Sequence, residues 1–440
     1  MLFRSKATSG IAPWLGPISL GASFAIYFFM QYLATPIGWW AAQRTSVLAW
    51  MNDIFVSFDL QGLDPFTPRS VVYSLYWLAA FAAGYAITSA RIPALRSARL
   101  DRPWPVGRAV FAFWVLFLGG FGLKAYRLLT GADVSVVAPN TVFADSTVAF
   151  VLSLNWLHWA SVAVINVVYQ EARRNGDARW PRLRVLAYCA TTFVLAVSLT
   201  SASRLATIVP LAAVVVIRQF YAPLPAATLL RRGAVLALVL LAFKGLLMTY
   251  IHGSSSSTDD AHPVRFELFY SLIHRVNLSW VLATVIEEGQ QAYPDGTLGQ
   301  FVTEMLPYGM ERTNVFDGNE FGRELSLIQE ADTSTGIAVT NIGDLYINGG
   351  IPGIVAGMLL CGVLFRTLVS LAQSSRPGPV LLYSLMWPIC LHGTESPVSV
   401  FWAASLKMAA LCLVVHLGVT ASGAEVPDRA GVREGDLRVA

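Results

Sequence analysis

The sequence predicts an all-α polytopic integral membrane protein, with about ten transmembrane helices and one large periplasmic loop containing an amphipathic helix. Three observations carry that expectation. Hydrophobic residues make up 55% of the chain and charged residues 13%, with a mean hydropathy of +0.55. A soluble domain carries about 25% charge, so this chain needs lipid as part of its solvent. The apolar runs are long and continuous rather than alternating, which selects helices over a closed barrel. Lysines and arginines gather in alternate connections.

Taken in order, the apolar runs predict spans at Pro13–Leu33, Ser70–Ser89, Ala109–Tyr126, Thr147–Tyr169, Val185–Leu199, Ala206–Tyr221, Ala234–Ile251, Tyr346–Leu368, Val380–Leu391 and Val398–Val419. The ninth is short and interrupted by Pro388. The first run is longer than the apolar core of a signal peptide and reads as an anchor. Residues 1–420 form one helical membrane domain with a loop at 252–340, and residues 421–440 read as a disordered cytoplasmic tail. No internal repeat is visible.

Charge sets the direction. With the N-terminus and Arg4 and Lys6 inside, Arg91 to Arg108, Arg173 to Arg184, Arg218, Arg231, Arg232, Arg366 and Arg376 all fall on the cytoplasmic side. Both termini are then cytoplasmic, in a bacterial inner membrane, and the 252–340 loop faces the periplasm. The net charge of +4 is dispersed over membrane-edge turns, so no nucleic-acid partner is expected. Cys189, Cys361, Cys390 and Cys412 sit within spans without a C-x-x-C pair and read as small apolar residues.

The loop concentrates polar chemistry. It holds Arg265, Arg275, Arg312 and Arg323, and His252, His262 and His274. From Pro263 to about Glu288 the pattern is that of an amphipathic helix. Leu268, Phe269, Leu272, Ile273, Val276 and Trp280 share one side. Glu267, Tyr270, Ser271, His274 and Asn277 share the other, with Arg275 at the flank. The polar stripe reads either as a solvated face or as the wall of a cavity. Tyr293-Pro-Asp-Gly and Leu306-Pro-Tyr-Gly are turns. Ser254–Ser257 with Asp259, Asp260 and His262 matches no metal-ligand spacing and reads as a hinge; no metal and no cofactor is expected. Elsewhere on the outer side, Arg204 sits in a tight turn that is costly without a partner. Lys124 and Arg127 read as snorkelling side chains. His392 and Glu395 either join a site or cap a turn, and Lys244 lies in an apolar run.

The stretch from Asn341 to Gly357 resembles the entry to the span that follows the periplasmic loop in Wzy-type polymerases of O-antigen and related polysaccharides. Gly343, Asp344, Tyr346, Asn348, Gly350, Gly353 and Gly357 carry the likeness, with Gly349 in place of the usual aromatic residue. The Thr200–Arg204 turn resembles the Ser-Arg turn of that family. Leu306 to Arg312 sits where the family has a Pro-Arg segment, with the arginine displaced from the proline. Independently of the likeness, Gly353 and Gly357 form a G-x-x-x-G that admits close helix approach.

The resemblance implies a metal-independent membrane glycosyltransferase. It would move a glycan from undecaprenyl diphosphate to the non-reducing end of another lipid-linked repeat. Arg204, Arg265, Arg275 and Arg312 are the candidates to hold the diphosphate, because a guanidinium stays charged and pairs with phosphate oxygens two at a time. His274 is the candidate proton acceptor, with Arg275 beside it and Glu267 to orient or replace it. Tyr270, Tyr346, Asn348 and Arg323 are candidates for substrate binding, and Tyr346 and Asn348 serve equally as anchors of the loop's return. The implied partners are the undecaprenyl diphosphate-linked oligosaccharide, membrane lipid, a chain-length regulator and a flippase. The competing classes are an O-antigen ligase, which differs in its acceptor, and a lipid-glycan flippase or transporter, which would place charge at the midplane and often show two related halves.

Overall fold

The computed structural model of the protein describes residues 19–34, 37, 68–89, 104–129, 156–199, 204–225, 227–229, 231–232, 235, 278–293, 295–297, 299, 339–372 and 376–421. The expected seventh span, Lys244, most of the 252–340 loop and all but the first residue of the tail lie outside them. Among the described residues the secondary structure is helical, with no strand. The helices are α1 (Leu20–Phe28, continued by a π-helical segment Phe29–Ala34), α2 (Pro68–Ser89), α3 (Val106–Leu129), α4 (Trp156–Arg174), α5 (Trp180–Leu199), α6 (Arg204–Tyr221), α7 (Ser279–Ala292), α8 (Asn341–Ala372), α9 (Pro377–His392) and α10 (Val398–Thr420).

Among the described residues, three helices are long and apolar enough to cross a membrane: Arg69–Thr88, Asn341–Ala372 and Val398–Thr420. Shorter apolar helices include Leu20–Ala34, Val106–Gly122 and Thr207–Tyr221. Large apolar side chains also face outward, among them Phe111, Val115 and Leu118 on α3 and Val414 and Leu417 on α10. An apolar exterior around helices whose backbones bond internally suits a lipid solvent. The chain thus has the build of a helical membrane protein.

Between such helices the driving force is packing rather than escape from water. The most extensive contact is α2 against α8. A Cβ added at Gly84 would collide with the Leu359 carbonyl, and one at Gly362 with the Phe81 carbonyl oxygen, so the two backbones touch. Phe81 lies against Gly362, and Arg366 lies 5.5 Å over the Tyr85 ring. The contacts advance together along both chains, so α2 and the long limb of α8 run parallel. Beside this seam, where α1 joins, the volume is filled by rings. Phe28 stacks on Trp77 at 3.9 Å and Phe24 on Phe81 at 4.3 Å, while Phe365 meets Phe24 edge-on at 4.9 Å. Elsewhere polar side chains link helices. Asn166 of α4 donates to Thr191 of α5 at 3.1 Å, and Tyr221 of α6 donates to Glu171 of α4 at 2.9 Å.

Two features depart from the sequence reading. Pro388 does not interrupt α9, which runs from Pro377 through it to His392. The eighth span does not begin as a straight helix at Tyr346. At Gly350 the backbone takes φ 57° and ψ −146°, outside helical geometry, with Pro352 just beyond. The chain turns so sharply that Leu345 comes back against Gly353 and Gly357; a Cβ at either would strike Leu345. The G-x-x-x-G pair therefore receives the preceding limb of its own helix. Of the cysteines, Cys361, Cys390 and Cys412 are buried and Cys189 is exposed, and all are free.

Candidate functional site

The short limb of α8, residues 341–348, builds one polar end of the bundle. Thr340 starts it. Its hydroxyl accepts from Gly343 N–H at 3.1 Å, satisfying an orphan donor of the first turn, and its backbone holds a left-handed φ of 64°. That conformation is uncommon for a β-branched residue and marks a strained point in the chain.

Each face of the limb has its own partners. Asp344 is fully buried and accepts from the Thr297 hydroxyl, from Asn348 Nδ2 at 2.9 Å and from Val398 N–H at 2.7 Å. Asn348, one turn on, closes the same network. Its Oδ1 accepts from Thr297 N–H at 2.7 Å, and its Nδ2 donates to Thr297 Oγ1 at 2.5 Å. Gly296, at φ 69°, passes so near that a Cβ would lie 2.7 Å from Asn348 Oδ1. The turn after α7 is thereby bolted to α8 by a buried carboxylate with uncharged donors. On another face Tyr346 packs on Tyr73 of α2, with ring centroids 5.6 Å apart, and Gln290 of α7 donates to the Tyr346 carbonyl at 3.2 Å. Arg69 stands at the start of α2 near this tyrosine pair.

The α9–α10 turn forms the third part. Asn341 N–H donates to the Thr394 carbonyl at 3.3 Å, and the Tyr32 hydroxyl donates to the same oxygen at 2.9 Å. The Gln31 carbonyl, in the π-helical segment, accepts from Leu278 N–H at 3.0 Å and ties α1 to α7. Glu395 takes the Tyr27 hydroxyl and Gln31 Nε2, the latter at 2.9 Å, on Oε1. Its Oε2 lies 3.3 Å from His392 Nδ1. Gln31 Oε1 and Asn341 Oδ1 are buried acceptors with no hydrogen-bond partner among the described residues.

This turn is recessed. A small void, with room for about one water, lies where Asn341, Gly393 and Thr394 meet the mostly apolar side chains of Phe24, Trp77, Met358, Cys361, Phe365, Cys390 and Phe401. Met358 and Cys361 lie 8 to 11 residues along α8 from the bend at Gly350, which is roughly 12–16 Å of helix. The short α9 thus ends level with Met358 and Cys361 rather than at the Gly350 bend of α8.

At the opposite end the polar groups are of another kind. Asp177, between α4 and α5, pairs in the open with Arg179 at 2.7 Å, and that hydrogen-bonded guanidinium holds its carboxyl down at about 2. Trp104 donates to His416 Nδ1 at 3.1 Å, joining the starts and ends of α3 and α10.

Of the sequence candidates, Tyr346 and Asn348 sit at the recessed end as described, and Arg204 begins α6. Glu267, Tyr270, His274, Arg265, Arg275, Arg312 and Arg323 lie outside the described residues. Within the expected amphipathic segment, α7 covers Ser279–Ala292, four residues beyond Glu288. Sequence reading left Tyr27, Gln31, Tyr73, Arg69 and Thr297 unmarked. Tyr27 and Gln31, at i and i+4 in an apolar run, were the available signal. Comparison with protein-family models, curated proteins and solved structures gave no match.

Proposed function

We propose that the protein is a bacterial inner-membrane glycosyltransferase that polymerises lipid-linked oligosaccharide repeats at the periplasmic face, in a fold of about ten spans with both termini cytoplasmic and a periplasmic loop at 252–340. The observation that carries the reading is the polar cluster that joins α1, the limb 341–348 and the α9–α10 turn at one end of the bundle. A lipid-linked diphosphate sits at headgroup depth, and a transferase acting on it needs polar groups below the surface yet shielded from bulk water. The limb 341–348, which carries the polymerase-like residues, belongs to that cluster and is fixed by Asp344 and Asn348.

In this reading Arg204, Arg265, Arg275 and Arg312 hold the departing diphosphate, and His274 with Glu267 stands ready for the proton. Tyr270, Arg323, Tyr346 and Asn348 contact sugar or shape the surface that does. The basic ends of α4, α5, α6 and α9 support the orientation.

The test is the surface glycan of a deletion strain on a gel. A lost polymerase leaves a single repeat on the core, whereas a lost ligase leaves none, and an unchanged ladder sinks the proposal. Arg204→Ala and Arg275→Ala should each abolish long chains at normal protein level. A reporter joined at Asp317 should read periplasmic; a cytosolic reading removes access to the donor.

A further inference from the structure

We propose that His392 and Glu395 form the proton-accepting pair of the transfer reaction, with His392 Nε2 as the base. The inference rests on the glycosyl-transfer reading above and moves the proton-accepting role in it from His274 to His392.

The geometry begins with the carboxylate. Glu395 Oε2 lies 3.3 Å from His392 Nδ1, one helical turn back. A carboxylate at Nδ1 keeps the ring proton on that nitrogen and leaves the Nε2 lone pair free for a substrate proton. An ordinary i,i+3 surface pair needs nothing more. Here the other carboxylate oxygen is gripped by the Tyr27 hydroxyl and by Gln31 Nε2, both from α1 at the far end of the sequence. Two donors from a separate helix fix a carboxylate that a turn cap would leave free to rotate. They are held in turn: the Gln31 carbonyl bonds Leu278 of α7, and Tyr32 bonds the Thr394 carbonyl in the same turn as Glu395.

Two further facts point to an occupant. The His392 side chain is 41% exposed, so its ring is reachable. Gln31 Oε1 is a buried acceptor without a partner among the described residues, which suits a hydroxyl donor entering beside the carboxylate. Among the described residues, the titratable groups beside the pair are Tyr27 and Tyr32 from α1, and Asp344 of α8 lies further off, bonded to the N-terminus of α10. They are two phenols and a carboxyl engaged elsewhere.

The step balances without a further reactant. The acceptor hydroxyl gives its proton to His392 Nε2. Its oxygen bonds to the anomeric carbon of the donor sugar. The bond from that carbon to the diphosphate oxygen breaks, and its electron pair leaves on undecaprenyl diphosphate. Glu395 steadies the imidazolium until the proton passes to water.

The test uses membranes of a deletion strain complemented with the full chain, elongating the lipid-linked repeats that the host itself makes. Wild-type rate should rise with pH, because the base acts only when unprotonated. His392→Gln should lower it by about 10²- to 10⁴-fold and remove that rise, at unchanged protein level. His392→Ala should regain activity with added imidazole, a response that a merely structural histidine would not give. Glu395→Gln should lower kcat with KM unchanged, and Tyr27→Phe should do so less. His392→Gln elongating like wild type, or the pH rise vanishing instead in His274→Gln, overturns the assignment. Failure of the polymerase reading looks different: wild-type membranes do not elongate at all, and the dyad claim falls with it.

Discussion

At the recessed end of the molecule the carboxylate of Asp344 lies inside the protein, and every bond to it comes from an uncharged donor. At the basic end Asp177 stands in the open beside Arg179, two residues away. The first arrangement joins three distant pieces of chain, the turn after α7, the limb of α8 and the start of α10. The second joins nothing beyond its own turn. The Asp177–Arg179 pair stays within its own turn, whereas the bonds of Asp344 hold three elements in place. An exposed pair in water contributes little; a buried carboxylate that would leave donors unsatisfied if removed contributes more.

Substitutions can sharpen that contrast or break it. The largest effect is expected at Asp344. Asp344→Ala takes the acceptor from the Thr297 hydroxyl and the Val398 N–H and removes one of the Asn348 Nδ2 bonds, and should cost about 3 kcal/mol in thermal unfolding of the detergent-solubilised protein. Asp344→Asn should cost less, since it keeps the shape. Next comes Gly296→Ala, which forces a side chain into φ 69° and against Asn348 Oδ1, at about 1–2 kcal/mol. At the basic end, Trp104→Phe removes one buried bond to His416 and should cost about 1 kcal/mol. The smallest effect is at Arg179→Ala, which should leave the melting temperature unchanged while Asp177, followed by carbon-detected NMR, titrates near about 3.9. The sign follows from its depressed folded value. The pair adds stability above the unfolded carboxylate value and loses it as pH falls through about 2. A melting shift at Arg179→Ala as large as that of Asp344→Ala would erase the distinction between the ends.

Much of the helical framework was legible because an apolar run is a local signal. The runs at 70–89, 109–126 and 398–419 foretell α2, α3 and α10 to within a few residues. The bend at Gly350 was not, although Gly349, Gly350 and Pro352 are breakers, because the run around them is apolar enough to read as one span. The glycines at 353 and 357 announced a close neighbour without saying that it was Leu345. The polar cluster was still less visible. Tyr27 and Gln31 pair with Glu395 more than 360 residues on, and no window along a sequence spans that distance. His392 and Glu395 were visible as outward polar residues, but what orients them depends on how α9 stops short. The loop arginines and His274 remain a matter for the glycan gel.

The seam between α2 and the long limb of α8 has one more consequence. Where Gly84 and Gly362 let two backbones touch, no acyl tail fits between them. A long hydrocarbon chain therefore cannot slip in sideways along that wall, whatever molecule carries it.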